Sequence, residues 1–154
     1  KQGKINEIIL NQALDNFENR TNQNNLSFDI KDFSLGFVRG LSLEDGAATL
    51  TDYTAKIIGL ELLNFLFKIK NGLWKVLLCG GGRKNKTLVE KIKNVTFQNL
   101  EIQSVDDFGI DGDFIESQAF AYLTIRSYLK LPISFPDTTG CKKSCTGGSI
   151  VKNY

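Results

Sequence analysis

The sequence lacks histidine and methionine and has only three cysteines among its 154 residues. Without histidine, the chain offers no imidazole base, no imidazole metal ligand and no Ser-His-Asp or Cys-His nucleophile. Three cysteines also fall short of a closed four-ligand zinc site. Cys79, Cys141 and Cys145 are therefore expected to be free thiols, and a disulfide between Cys141 and Cys145 is the alternative.

The sequence also lacks a large excess of positive or negative charge and lacks a long apolar run. The 19 basic and 17 acidic residues leave a net charge of +2, which argues against a surface devoted to nucleic acid or to an acidic membrane. The longest apolar stretch, residues 57–69, contains three polar residues and is too short to cross a bilayer. The first residues do not resemble a signal peptide, so we expect a cytoplasmic protein with neither nucleic-acid nor membrane partners.

The length and composition fit one domain of ordinary size. Apolar residues make up 42% and charged residues 23% of the chain, which is enough to form a packed core. Because the chain begins with Lys1 and contains no methionine, we expect it to be part of a longer polypeptide or a processed product. We predict an N-terminal helix and polar loop in residues 1–40, an α/β core in residues 41–131 and an irregular tail in residues 132–154.

Helical periodicity dominates the first half of the chain. Residues 4–18 predict a short amphipathic helix, and the polar residues 19–27 predict a loop. A long helix is predicted to begin at Ser42, which can cap it, and to end at Asn71. Its predicted buried side contains Leu43, Ala47, Leu50, Thr54, Ile57 and Ile58, and its predicted wetter side contains Thr49, Asp52 and Lys56. After Gly59 the helix is apolar nearly all round, which predicts burial between layers.

Strand and helix signals alternate in the second half. Residues 74–79 are mostly apolar, which predicts a strand covered on both faces. Residues 85–94 predict a helix, residues 99–105 a second strand, and residues 113–129 a further long helix. Strands that alternate with helices predict an α/β fold with a parallel-stranded sheet and packed helices.

Three consecutive glycines, Gly80, Gly81 and Gly82, follow the first predicted strand. Ligands of open α/β sheets bind at this edge, where glycine backbone can approach a ligand and free N–H groups can bind anions. The segment matches neither the GxGxxG fingerprint nor a Walker A loop. It therefore predicts either a tight turn into a helix capped by Asn85, or a nucleotide or sugar contact. The basic residues that follow predict either a solvated surface or a phosphate contact: Arg83, Lys84 and Lys86.

An acidic segment precedes the last predicted helix and contains Asp107, Asp111, Asp113 and Glu116. Asp111 and Asp113 are residue types that often cap helices. Glu116 can complete a capping box with Asp113, which is a purely structural role. Alternatively, Glu116 projects into a cleft, because it shares a helix face with the apolar Phe120. Spacing alone leaves both roles of Glu116 open.

Three segments, in this order and at these spacings, resemble one family. Residues 40–55 (GLSLEDGAATLTDYTA), 77–85 (LLCGGGRKN) and 106–123 (DDFGIDGDFIESQAFAYL) resemble the C-terminal lobe of anhydro-N-acetylmuramic acid kinases. The resemblance covers about residues 40–150. It implies one lobe of the actin-like, ribonuclease H-like fold that these sugar kinases share.

The resemblance also implies an activity. Kinases of this family use ATP and a divalent metal, normally Mg²⁺. Water opens the 1,6-anhydro ring of anhydro-N-acetylmuramic acid while O6 accepts the γ-phosphate, and the product is N-acetylmuramic acid 6-phosphate in peptidoglycan recycling. The expected partners are this small sugar and a missing N-terminal lobe. A homodimer is also expected among the partners, because a separate lobe exposes faces that can associate.

Site residues follow from the same resemblance. The implied nucleotide-binding residues are Gly80, Gly81, Gly82 and Asn85, and the implied substrate-binding residues are Glu116, Asp111 and Asp107. No catalytic residue or metal ligand is expected here, because the family's phosphate loop and its DTGPGN-like segment with the catalytic Asp do not occur in this sequence. The fragment alone is therefore expected to be inactive. The alternative function is a non-catalytic nucleotide-binding, sugar-binding or interaction module that kept the fold.

Overall fold

A computed structural model describes residues 2–21, 33–68, 72–96 and 100–151. The helices and strands in chain order are α1 (Glu7–Thr21), α2 (Leu43–Lys68), β1 (Trp74–Leu78), α3 (Lys86–Val95), β2 (Leu100–Ser104), α4 (Ile115–Tyr128) and α5 (Pro136–Thr139). Single 3-10 turns lie at Leu35–Val38, Gly81–Lys84 and Val105–Phe108. The predicted α/β class is confirmed.

The two strands form a parallel sheet in which Trp74 pairs with Leu100 and Leu78 pairs with Ser104. Parallel neighbours need a crossover connection, and α3 provides it. Both strands begin and end within one residue of the predicted positions. The predicted cover on both faces of β1 is wrong for the described structure, because Val76 is half-buried whereas Leu77 is 45% exposed. Among the described residues, helices α2 and α3 cover only one face of the sheet.

The core lies between this sheet and helices α2 and α3. Its buried centre consists of one residue from each of three elements, Ala55, Ile92 and Ile102. Partly buried side chains surround this centre: Leu62, Val76, Leu78, Leu88 and Leu100. Each fully buried large aliphatic side chain stabilises the fold by about 1.5–3 kcal/mol. The cluster therefore holds the strand–helix–strand unit against α2.

The buried side of α2 differs from the predicted one. Thr49 is fully buried and Asp52 is only 9% exposed, while Leu43, which was predicted to face inward, is 86% exposed. Both polar side chains have partners, so their burial leaves no unpaired group. Thr49 Oγ1 accepts a hydrogen bond from Asn6 N–H at 3.0 Å, and Lys91 Nζ donates to Asp52 at 2.5 Å.

Small residues occupy the rest of this buried side. Gly46, Ala55 and Gly59 are all buried, and small side chains allow the neighbouring helices to approach closely. The end of α2 was predicted to be buried between layers, yet Phe65 is 59% exposed and Phe67 is 84% exposed. The described residues therefore do not cover the apolar end of α2.

Helix α1 packs against α2 through Leu10, Ala13 and Phe17. It continues to Thr21, so residues 19–21 are helical rather than part of the predicted loop, and the rest of that loop lies outside the described residues. Along the described ranges, no helix is both long and apolar enough to span a bilayer.

The C-terminal segment was predicted to be irregular, and it has a little regular structure. It contains the short helix α5 and an antiparallel bridge between Ser134 and Cys145. The Ser127 hydroxyl donates a hydrogen bond to the carbonyl of Gly147, so the segment folds back on the end of α4. The three cysteines are free thiols.

The contact between α2 and α3 generates a prediction. A Cβ at Gly59 would lie 2.4 Å from Val95 Cγ1, whereas a Cβ at Gly46 of the same helix would meet Val38 at 3.8 Å. We expect Gly59→Ala to lower the free energy of unfolding by about 1–3 kcal/mol, because the two helices must separate. Gly46→Ala is the control, and its effect should be neutral or stabilising by up to about 1 kcal/mol through helix propensity.

Denaturant unfolding measures both changes. Adding Val95→Ala to Gly59→Ala should recover part of the loss, because it removes the Cγ1 methyl group 2.4 Å from the new Cβ and keeps the Val95 Cβ at 2.6 Å. Equal stability of the Gly59→Ala and Gly46→Ala proteins would contradict the close approach of the helices.

Candidate functional site

The two predicted ligand segments meet at the carboxyl-terminal edge of the sheet. The glycine turn (residues 80–82) follows β1, and the acidic loop (residues 106–114) follows β2. Gly80 N–H donates to the carbonyl of Gly112 at 2.9 Å. Gly80 has a φ of 74°, which is a left-handed conformation that favours glycine. The predicted place of the glycine turn is confirmed, although its last two residues begin a 3-10 turn.

Arg83 connects the glycine turn to the acidic loop. Its side chain is 6% exposed, and its Nε and Nη2 donate to the two carboxylate oxygens of Asp106 at 2.5 and 2.9 Å. Its Nη1 donates to Asp113 at 2.6 Å and to the carbonyl of Gly80 at 2.9 Å. A planar guanidinium can make this two-pronged contact, and the ammonium of lysine cannot.

Further contacts fix Asp106 and bring the loop against the guanidinium. Asp106 accepts hydrogen bonds from the Ser104 hydroxyl at 2.5 Å and from Gly112 N–H at 3.2 Å. A Cβ at Gly112 would lie 2.5 Å from Arg83 Nε, so the backbone passes where a side chain does not fit. We call Arg83, Asp106, Gly112 and Asp113 the Arg83 cluster.

The Arg83 cluster keeps its side chains charged. The Arg83 guanidinium, the Ser104 hydroxyl and the Gly112 N–H hold the pKa of Asp106 well below its ordinary value of 3.8. Arg83, and then Lys84, lower the pKa of Asp113, and hydrogen bonds from Arg83 to the two aspartates raise the pKa of the guanidinium. Because its N–H groups are engaged by acids, Arg83 is neither the solvated residue nor the phosphate contact that the sequence suggested.

The predicted nucleotide-binding residues lie together beside the Arg83 cluster. A Cβ on either Gly80 or Gly81 would meet no protein atom within 4 Å, so the backbone is accessible there. Asn85 caps α3, as predicted, and its Oδ1 accepts from Leu88 N–H at 3.1 Å. Backbone N–H groups and the positive end of α3 therefore point toward the same edge of the sheet.

Two of the predicted sugar-binding acids lie in the acidic loop. The Asp111 side chain is 58% exposed, and its Oδ1 accepts from Asp113 N–H at 2.9 Å. The Asp107 carboxylate accepts from Ser104 N–H at 3.1 Å, which caps the 3-10 turn that follows β2. Both carboxylates thus also stabilise the loop that presents them.

Glu116 is an exposed residue in the first turn of α4. The alternative capping box does not form, because Phe114 is the N-cap residue and the carboxylate of Asp113 is held by Arg83 and Lys84. Within the described ranges, no hydrogen bond or ion pair engages the Glu116 carboxylate. It is therefore accessible to a ligand.

A groove of about 540 Å³ lies beside β2, next to the Arg83 cluster. Its polar lining includes Arg83, Lys93, Glu101, Gln103 and Asp107. Gln103 Nε2 donates to Glu101 at 2.6 Å, and Gln103 Oε1 is buried without a partner among the described residues. Leu78, Val89 and Ile102 also line the groove, so it is a mixed polar and apolar surface that runs along β2 to the Arg83 cluster.

The sequence did not reveal the pairing of Arg83 with Asp106 and Asp113. One signal was present, since a basic residue follows the first strand and acidic residues follow the second. The carboxyl ends of neighbouring parallel strands meet at one edge, so opposite charges placed there can pair. The relevant partners are 23 and 30 residues away from Arg83.

Comparisons with known proteins identify the family. The model of the anhydro-N-acetylmuramic acid kinase family matches residues 2–153. The chain is similar to the anhydro-N-acetylmuramic acid kinase of Pelagibacter ubique, with 55% identity over 152 residues that cover 99% of this chain and 40% of the relative. It is also similar to the enzymes of that name from Zymomonas mobilis (40% identity; 80% of this chain, 32% of the relative) and Rhizorhabdus wittichii (36% identity; 96% and 38%).

The chain therefore belongs to the anhydro-N-acetylmuramic acid kinase family. It spans about two-fifths of the length of the curated relatives it matches. The resemblance drawn from the three segments of the sequence is confirmed.

The Arg83 cluster generates a prediction about pH. We expect Asp106→Asn to lower the melting temperature by about 5 °C or more at neutral pH, because it leaves Arg83 with a neutral partner. The pKa of Asp106 in the folded protein lies below its ordinary value of 3.8. The stabilisation by this carboxylate is therefore present above that value and is lost as the pH falls toward the lowered pKa.

Melting curves of the original and variant proteins measure this loss. The difference between them should shrink as the pH falls below 3.8. Asp15→Asn, an exposed change on α1, is the control and should change the melting temperature by less than about 1 °C at neutral pH. A difference for Asp106→Asn that stays constant into strong acid would contradict the role of the charge.

Proposed function

We propose that the chain is the C-terminal, nucleotide-binding lobe of an ATP-dependent kinase. The enzyme opens 1,6-anhydro-N-acetylmuramic acid and phosphorylates it to N-acetylmuramic acid 6-phosphate in peptidoglycan recycling. The names of the curated relatives support this activity. One observation carries the proposal: the glycine turn and the acidic loop lie together at one edge of the sheet. Arg83 connects them by donating hydrogen bonds to Asp106 and Asp113, and Gly80 N–H donates to the carbonyl of Gly112.

The glycine turn fits a nucleotide. The open space beside Gly80 and Gly81 lets a ligand approach the backbone, and the N-terminal end of α3 adds positive potential for phosphate oxygens. We assign Gly80, Gly81, Gly82 and Asn85 to this contact. Their task is to bind and orient the nucleotide, which lowers the barrier by positioning rather than by proton transfer.

Mg²⁺ bound with the ATP would neutralise phosphate charge during the transfer. In the described parts of the chain, no group of three acidic or cysteine side chains converges as a metal site. We therefore assign no residue of this chain as a metal ligand. We expect the metal ligands and the catalytic base in an N-terminal lobe of the intact enzyme.

The acids of the loop and of α4 suit a sugar. Ionised carboxylates accept strong hydrogen bonds from hydroxyl and amide groups, and the sugar carries both. Glu116 is accessible at the start of α4, and Asp111 and Asp107 are both exposed residues of the acidic loop. We assign Glu116 as the principal sugar contact and place Asp111 and Asp107 in supporting positions.

A turnover assay tests the activity itself. We expect the intact kinase to release ADP only when both ATP and the anhydro sugar are present, and to form the 6-phosphate. Binding of both ligands without product would favour the alternative, a non-catalytic binding module.

Gly81→Ala tests the nucleotide contact. The added Cβ meets no protein atom within 4 Å, so we expect an unchanged melting temperature. Because the methyl group would occupy the space of the ligand, the KM for ATP should rise by about 10-fold or more in the intact kinase. Gly72→Ala, at the opposite end of β1, should leave this KM unchanged. An unchanged KM for ATP in Gly81→Ala would remove the glycine turn from the site.

Glu116→Gln tests the sugar contact. The change keeps the size of the side chain and removes its charge, so we expect the KM for the sugar to rise by roughly 10-fold, or about 1.4 kcal/mol of lost binding. Glu90→Gln, on the exposed side of α3, is the matched control. Lower stability with an unchanged KM for the sugar would show that Glu116 has a structural role instead.

A further inference from the structure

Ser134 brings two cysteines together in the C-terminal segment. Its backbone N–H donates to the carbonyl of Cys145 at 3.1 Å, and its carbonyl accepts from Cys145 N–H at 3.0 Å. Its hydroxyl lies 3.7 Å from the sulfur of Cys141 and donates to it. Both cysteines are free thiols, with Cys141 half-buried and Cys145 exposed. One serine therefore contacts both cysteines, Cys145 through its backbone and Cys141 through its hydroxyl.

The surroundings of Cys141 favour its thiolate. Hydrogen bonds from Thr139, Ser134 and Cys145 lower the pKa of the Cys141 thiol. The Thr139 hydroxyl contacts the Ser134 hydroxyl and donates to the carbonyl of Phe135, which fixes the two hydroxyls near the sulfur.

We propose that Cys141 and Cys145 form a peroxide-sensitive dithiol, in which Cys141 is the attacking thiolate and Cys145 is the resolving thiol. The inference does not depend on the proposed kinase function. A polar, partly exposed sulfur with a second thiol in reach is the arrangement that redox-sensitive cysteines share.

The chemistry balances with hydrogen peroxide as the oxidant. The Cys141 thiolate attacks one peroxide oxygen, the O–O bond breaks, and the departing hydroxide takes up a proton to become water. The product is a sulfenic acid at Cys141. The Cys145 sulfur then attacks the Cys141 sulfur, the S–O bond breaks, and a second water leaves with the thiol proton. One peroxide and two thiols thus give one disulfide and two waters.

A resolving thiol in reach has a protective consequence. A sulfenic acid without a partner is open to irreversible oxidation to the sulfinic acid, whereas a disulfide is reduced again by thiols. The disulfide closes residues 141–145 into a small loop. It also removes the thiolate that accepts the Ser134 hydroxyl, so the oxidised and reduced forms of this segment differ in hydrogen bonding.

Peroxide treatment of the purified protein tests the proposal. We expect intact mass to fall by two hydrogens, at a rate independent of protein concentration, and peptide mapping to join Cys141 to Cys145. Cys79, an exposed thiol in the same molecule, is the internal reference and should react about 10-fold more slowly. Equal oxidation of Cys79 and Cys141, disulfides between molecules, or sulfinic acid at Cys141 without the disulfide would each overturn the proposal.

Substitutions separate the two roles. Cys145→Ser should let the sulfenic acid accumulate at Cys141, where dimedone traps it, and Cys141→Ser should slow oxidation at position 145 to the rate of Cys79. Ser134→Ala removes one donor to the thiolate and should slow alkylation of Cys141 by about threefold at neutral pH. Ser144→Ala, in the same loop, is the matched control. Trapping at Cys145 rather than Cys141 would reverse the assignment and overturn it.

Discussion

The Arg83 guanidinium holds the carboxyl ends of the two strands together as one unit. The strands are only five residues long, and the turns that follow them share few backbone hydrogen bonds. Arg83 spans this gap, because one planar group reaches Asp106, Asp113 and the carbonyl of Gly80. Without its charge, the carboxylates of the acidic loop would repel one another, and among the described residues only the Gly80–Gly112 hydrogen bond and the contact of Lys84 with Asp113 would hold the loop near the glycine turn.

The buried Arg83 cation is tolerated because hydrogen-bond acceptors surround its N–H groups. Removing a guanidinium from water is unfavourable unless strong hydrogen bonds replace its hydration. Two carboxylates and one carbonyl do so for Arg83, and Asp106 is in turn held by Ser104 and Gly112. Each residue of the Arg83 cluster thus holds its neighbour in place, and the network rigidly supports the glycine turn and the acidic loop. The proposed nucleotide contact is in the glycine turn, and the proposed sugar contact is in the acidic loop and the first turn of α4, so Arg83 binds both segments that would carry the ligands.

Local signals in the sequence predicted the strand–helix–strand unit well, and long-range contacts explain the errors. An apolar run, a glycine turn and the capping residue Asn85 are all encoded within about a dozen neighbouring positions. The burial of Thr49 and Asp52 depends on Asn6 and Lys91, which lie 43 and 39 residues away. Apolar periodicity contains no information about such distant partners, so it predicted that these polar residues lie on the solvent-exposed side of α2.

The same limit applies to the candidate site. Its position at the sheet edge follows from the order of strands and helices, and its glycine and acidic segments are visible as motifs. The contact of Arg83 with the aspartates of the acidic loop is not visible in the sequence, because a buried arginine and a solvated one have the same local sequence pattern. Side-chain partners across a crossover become visible only when the register of the strands is known.

The strand register has a consequence for how this family can vary. Leu78 pairs with Ser104, so the two strands end at the same level of the sheet. The glycine turn and the acidic loop therefore begin side by side. One inserted residue in either strand would shift its end by about 3.3 Å and turn its side chains to the other face. The number of residues from the start of β1 to Arg83, and from the start of β2 to Asp106, is therefore fixed. Alignments of functional relatives should therefore be free of gaps through these two segments.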